Sequence, residues 1–103
     1  MPKRIVVHVP HRLGMEEARQ RLNGRAEWAE QRLRREGVRL VIDEWSGDHR
    51  PFTAHALGQR VDGLVAVAER SIRFEIEVPW ILSVFAPKIE AAAKHYAVRL
   101  MAS

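Results

Sequence analysis

The stretch IRFEIEVPWILSVFAPKIEAAAKHYAVRL, Ile72 to Leu100, changes its hydrophobic period in mid-course. Its first part alternates: Ile72, Phe74, Ile76 and Val78 fall on one side, Arg73, Glu75 and Glu77 on the other. A period of two is that of a half-buried strand. Pro79 ends it. Beyond, Trp80, Ile81, Phe85, Ile89, Ala92, Ala93, Tyr96 and Leu100 can form one broad helical stripe. Pro79 suits the first position of a helix, where its missing N–H is not needed. Pro87, inside the pattern, would remove a bond and clash with the preceding turn. The spacing therefore predicts a short helix over about 80–85, a kink or break, and a longer helix to about 101. In this reading WILSVF (Trp80–Phe85) supplies core-facing first turns rather than an external docking tongue. Phe74, Ile76, Trp80, Phe85 and Tyr96 become the candidate core or pocket, with Trp80 and Phe85 on the Phe74 side of the sheet.

Upstream, KRIVVHV (Lys3–Val9) is a β-branched run that reads as a first strand, broken by PHRLG (Pro10–Gly14). Between Met15 and Glu36, Met15, Ala18, Leu22, Ala26, Ala29 and Leu33 recur at steps of three and four, which predicts a helix. Gly37 sits where a C-terminal cap glycine belongs. Gly24 is an internal weak point, about 1 kcal/mol worse than alanine, where a bend or a split can fall. VRLVIDEWS (Val38–Ser46) reads as a second strand and GDHRP (Gly47–Pro51) as a turn. FTAHALG and QRVDGLVAVAE follow as strands three and four, with Gly58 and Gln59 as their connection, and Arg70–Ser71 is short enough for a tight hairpin.

The order is thus β-α-β-β-β-β-α, an α+β fold in which short connections favour an antiparallel meander. Two long helices pack on the sheet. By element order alone this is a shortened helix-grip (START-like) arrangement, and such an analogy carries no function. If both helices lie on the Phe74 side, the other side stays uncovered. In the expected register it presents Leu64, Ala66 and Ala68, with Val41, Trp45 and Leu57 added from strands two and three and Arg73, Glu75 and Glu77 as a rim. A contiguous apolar patch with a charged rim is more often an interaction site than bare surface. Val38, Leu40 and Ile42 compete with Val41 and Trp45 for the core, and a one-residue slip exchanges the faces. Trp45 itself reads either as a cap on one end of the core or as a surface anchor.

The chain has 103 residues and reads as a single domain, 1–103. It holds no cysteine, which removes disulfides, thiolate catalysis and thiolate metal sites and accords with a cytoplasmic setting. No apolar window approaches the roughly 20 residues of a spanning helix, and the apolar part of MPKRIVVHVPHRLG is too short for a secretory signal. The net charge of +4 and pI near 10.3 invite a nucleic-acid reading. The distribution opposes it: the arginines of the first helix alternate with glutamates, and Glu17/Arg21 and Glu30/Arg34 form i,i+4 pairs.

Three blocks, VPHRLGMEEARQRL (Val9–Leu22), WSGDHRPFTAHALGQRVDG (Trp45–Gly63) and VPWILSVFAPKI (Val78–Ile89), resemble the polyhydroxyalkanoic acid system proteins. These are small bacterial proteins associated with genes for storage-polyester synthesis and granules. The resemblance spans nearly the whole chain and implies a polyester-granule setting. It carries over no catalytic residue. The arginine-rich first helix and Pro87 are individual departures that touch no assigned function.

The residues themselves add no chemistry. His8 and His11 (HVPH) lie at a proline-interrupted strand end, not at helical i,i+4 spacing, and His49 and His55 join them only if folding gathers them. Asp43, Glu44 and Asp48 flank a turn, where acidic residues are ordinary. Ser46, Ser71 and Ser83 lack the GxSxG elbow of a serine hydrolase. No enzyme activity, metal or cofactor is expected. The reading is a non-enzymatic accessory protein of the polyhydroxyalkanoate system that binds a granule surface, a granule-associated protein, or itself as a homodimer. One alternative is a small carrier or sensor with an apolar pocket between sheet and C-terminal helix for an acyl ligand. A second is a nucleic-acid-binding regulator.

Overall fold

The structure, a computed structural model, describes residues 3–102. Met1, Pro2 and Ser103, included in the single-domain reading, lie outside the described residues. The elements run β1 (Lys3–Pro10), α1 (Gly14–Arg35), β2 (Arg39–Ile42), β3 (His49–Ala56), β4 (Gln59–Val67), β5 (Ser71–Val78), a 3₁₀ segment (Trp80–Phe85) and α2 (Ala86–Met101). One five-stranded sheet has the order β1-β5-β4-β3-β2, every neighbouring pair antiparallel. The expected α+β order β-α-β-β-β-β-α is the observed one.

Register assigns the faces. Ile76 of β5 pairs with Ile5 and Gly63, and Phe74 with Val7 and Val65. Across β3 the same face continues through Arg50, Phe52, Ala54 and Ala56, and Leu40 and Ile42 of β2 complete it. Both helices cover this face. α2 lies over β1 and β5, α1 over β2 and β4, and the two helices touch each other. The core gathers Ile5, Val7, Val9, Val65, Ile72 and Val78 from the sheet with Ala18, Leu22, Ala97 and Leu100 from the helices. Phe52 lies so close over Gly63 that no Cβ fits there, and the ring fills the space a side chain on β4 would take.

α1 is unbroken through Gly24. It stops in a Schellman motif: Gly37, at φ +82°, donates to the Arg34 carbonyl at 3.1 Å, and Val38 to that of Leu33 at 2.9 Å. β2 is shorter than Val38–Ser46, and β3 starts earlier, at His49. The earlier start of β3 lies in the pairing of His49 and Arg50 with Ala66 and Val65 of β4, and the early end of β2 follows from Pro51. Its carbonyl accepts from Asp43 on the β2 side, and its missing N–H faces that same side, where β2 has already ended. The β3–β4 connection is a two-residue turn with positive φ at both Leu57 (56°) and Gly58 (71°), a type I′ geometry that matches strand twist.

Pro87 resolves its own difficulty by standing in the first turn of α2, where it breaks nothing. The preceding WILSVF forms a 3₁₀ helix. The expected division near residue 86 is the observed one, but the expected side-chain directions are not. A 3₁₀ helix has three residues per turn, so Leu82 and Phe85 align in one row. Leu82 is buried, whereas Trp80 is 69% exposed, Ile81 50% and Val84 77%. Trp80 is therefore not a core residue, and the segment is mostly an external surface.

Candidate functional site

Between the helices and the inner sheet face lies an apolar groove of about 410 Å³. Its floor is Phe52, Ala54, Ala56, Val61, Val65, Phe74 and Ile76; its walls are Leu22, Ala26, Ala29 and Leu33 of α1 and Ile89, Ala92, Ala93 and Tyr96 of α2. The groove exists because small side chains face each other there. The alanines of α1, α2 and β3 leave space that larger residues would fill. Of the candidate pocket residues, Phe74, Ile76, Phe85 and Tyr96 line it and Trp80 does not.

The antiparallel register orients the groove. It follows β3 from Arg50 to the turn at Leu57, roughly 20 Å at strand rise. At the Leu57 end, β4 begins and β5 finishes, since Asp62 pairs with Glu77. The 3₁₀ segment leaves β5 at this end. Leu57 (76% exposed), Trp80, Ile81, Val84 and Phe85 thus form an apolar collar at one end of the molecule, with Leu57 and Phe85 also lining the groove mouth.

The opposite end holds Arg19 and Arg50, beside the β2–β3 connection with Asp43, Glu44 and Asp48. Trp45 donates its indole N–H to Asn23 Oδ1 at 2.8 Å, and the Arg19 guanidinium lies 4.4 Å from the Trp45 ring centroid. Arg50 donates from Nε to the Asp43 carbonyl and from a terminal nitrogen to Asn23 Oδ1, both at 2.8 Å. Both acceptors are neutral oxygens. Among the described residues neither Arg19 nor Arg50 pairs with a carboxylate; the ion pairs join Arg4 and Arg73 to Glu75, and Arg60 to Asp62.

Of the candidate interaction surface, Val41, Leu64 and Ala66 stand on the outer sheet face, away from the helices. Trp45 and Leu57 do not. β2 ends at Ile42, so strand alternation no longer governs Trp45, which turns inward onto α1. Leu57 is at a turn tip and opens on the groove mouth. The outer face also carries the Arg4–Glu75–Arg73 cluster.

The histidines and carboxylates do not converge. His8 and His49 are on the outer face of β1 and β3, three strand spacings or roughly 14 Å apart. His11 serves the start of α1: its Nδ1 accepts from the Leu13 N–H at 3.1 Å, which makes Nε2 the donor to the Ala68 carbonyl at 3.0 Å. Among the described residues no three His, Asp or Glu side chains gather as a metal site, and no helix is long and apolar enough to cross a membrane. Tyr96 bonds Glu36 through its hydroxyl at 3.2 Å; burial and then the Glu36 charge push its pKa above the ordinary value. Two of the α1 arginines have a structural task. Arg21 reaches the carbonyls of Met101 and Ala102, and Arg25 those of Arg99 and Leu100, at the C-terminus of α2.

Arg50 and Asn23 were not legible as site residues, because Arg50 falls in the turn-like GDHRP. The signal was present: Arg50, Phe52, Ala54 and Ala56 alternate on one face, with an arginine at the end of an apolar row.

No curated protein and no solved structure matches this chain. A family model does, over residues 5–100; its description is "Putative polyhydroxyalkanoic acid system protein".

Proposed function

We propose that this chain, which belongs to the polyhydroxyalkanoic acid system family, is a non-enzymatic accessory protein that docks end-on to the apolar surface of cytoplasmic storage-polyester granules. The supporting observation is the collar of Leu57, Trp80, Ile81, Val84 and Phe85 at one end of the sheet. A soluble monomer gains nothing from grouping large apolar side chains in water, and a grouped patch of this kind marks an interaction site. A second reading, self-association, is favoured by the outer sheet face, which no described element covers and where Val6, Val41, Leu64 and Ala66 lie.

The test is co-sedimentation with isolated polyester granules. The double variant Trp80→Ser, Val84→Glu should lose at least about tenfold in affinity, since burying a single valine contributes about 1.5 kcal/mol or more. Its circular dichroism should be unchanged, because both side chains are exposed. Full retention of granule binding would remove the end-on reading.

A further inference from the structure

We propose that the groove is a binding site for a single-chain acyl carboxylate, its chain lying along β3 and its carboxylate held at the Arg50 rim. The inference concerns the interior of the molecule and does not depend on granule docking. Three features carry it. A volume of about 410 Å³ is that of a small-molecule site, for which about 300–1,000 Å³ is usual. The lining is almost wholly apolar, Arg50 is its one charged residue, and the polar atoms of Trp45 and Tyr96 are taken up by Asn23 and Glu36. An elongated apolar slot with one cation at one end is complementary to an amphiphile with one negative head and one unbranched tail.

The rim is arranged for an anion. Arg50 is fixed by the Asp43 carbonyl and Asn23 Oδ1, so its guanidinium is held in place, and it forms no ion pair with a carboxylate among the described residues. Arg19, outside the groove lining, lies 4.4 Å from the centroid of the Trp45 ring, a second cation near the rim. A carboxylate arriving here meets a preformed donor set, and charge-assisted bonds of this geometry are stronger than neutral ones. An uncharged apolar ligand would leave the rim unused.

Isothermal titration with decanoate, 3-hydroxydecanoate and decanol tests the idea on the intact chain. The two carboxylates should bind, and decanol about tenfold more weakly, a difference equivalent to one good charged contact. The hydroxy acid against the plain acid separates a polyester building block from an ordinary fatty acid as the source. Arg50→Met should weaken decanoate to the level of decanol and leave decanol unchanged. Ala54→Phe, which fills the floor, should abolish both. The collar variant Trp80→Ser, Val84→Glu should keep its decanoate affinity, because neither residue lines the groove. Failure of decanoate to bind, equal affinity for decanol, or loss of decanoate binding in the collar variant would each overturn the proposal. The comparison of ligands stands even if Ala54→Phe does not fold. Granule docking can survive such a failure, since it is read in a different assay.

Discussion

At the scale of single residues, Leu57 joins two opposing demands. A leucine at φ 56° costs about 1–2 kcal/mol relative to a residue at ease in the left-handed region. Asparagine is such a residue and is favoured in type I′ turns. Leu57→Asn should therefore stabilise the fold by about 0.5–1 kcal/mol in urea denaturation while weakening granule co-sedimentation. Stabilisation without loss of binding would detach Leu57 from the collar. Leu82 and Trp80 invert what a helical stripe suggests. Leu82→Ala should cost about 2–5 kcal/mol, the range for a buried leucine, and Trp80→Ala within about 0.5 kcal/mol, as at an exposed site. Equal losses in chemical denaturation would return Trp80 to the core. The alternation of Ile72–Val78 was fully legible because it rests on one period. The direction of Trp80 was not, because a shift from 3.6 to 3 residues per turn leaves no mark in composition.

At the scale of elements, the C-terminus of α2 is tied down by α1. Arg25 donates to the Arg99 carbonyl at 2.7 Å and to that of Leu100 at 3.1 Å, where unpaired carbonyls and the helix dipole both attract a cation. Arg25→Met keeps the stem and removes the donor. It should lower stability by about 1 kcal/mol, a figure kept small because the contact is partly exposed. Added salt should erode part of the wild-type advantage; a salt-independent difference would point to packing instead. Together with the contacts of Arg21 to the Met101 and Ala102 carbonyls, the Arg25 contact gives two charges of the basic first helix a structural task. Helices and hairpins were legible, since caps, prolines and glycines mark their ends. The truncated β2 was not, because it depends on where Pro51 faces, a fact of pairing rather than of local propensity.

For the whole molecule, the helices cover one face of the sheet, and no described element lies on the other. The outer face is mixed: Leu64 sits opposite Glu75, whose carboxylate takes both Arg4 and Arg73. If copies associate through this face, Leu64→Glu sets a second carboxylate beside Glu75, and like charges directly opposite are unfavourable. Sedimentation velocity should then show the concentration-dependent assembly of the parent chain and its loss in the variant, with circular dichroism retained. An unchanged profile would leave the outer face to solvent. The groove could be foreseen only as a space between sheet and helix. Its arginine rim needed the register that brings Arg50 and Asn23 together.

The sheet order has a further consequence, in time rather than in space. β1 has a single neighbour, β5, and their register joins Lys3 to Val78 and Pro10 to Ser71. Strand β1 is thus synthesised well ahead of the strand it pairs with. At about 5–20 residues per second, Ile5, Val7 and Val9 wait roughly 3–15 seconds for β5 to emerge. Non-local pairing of this kind also slows refolding, because the long loop must close before any contact rewards it. The hairpins β2–β3–β4 can form early and locally. The closing of β1 onto β5 then seals the core, and until it does, an apolar strand edge stands open to any other chain nearby.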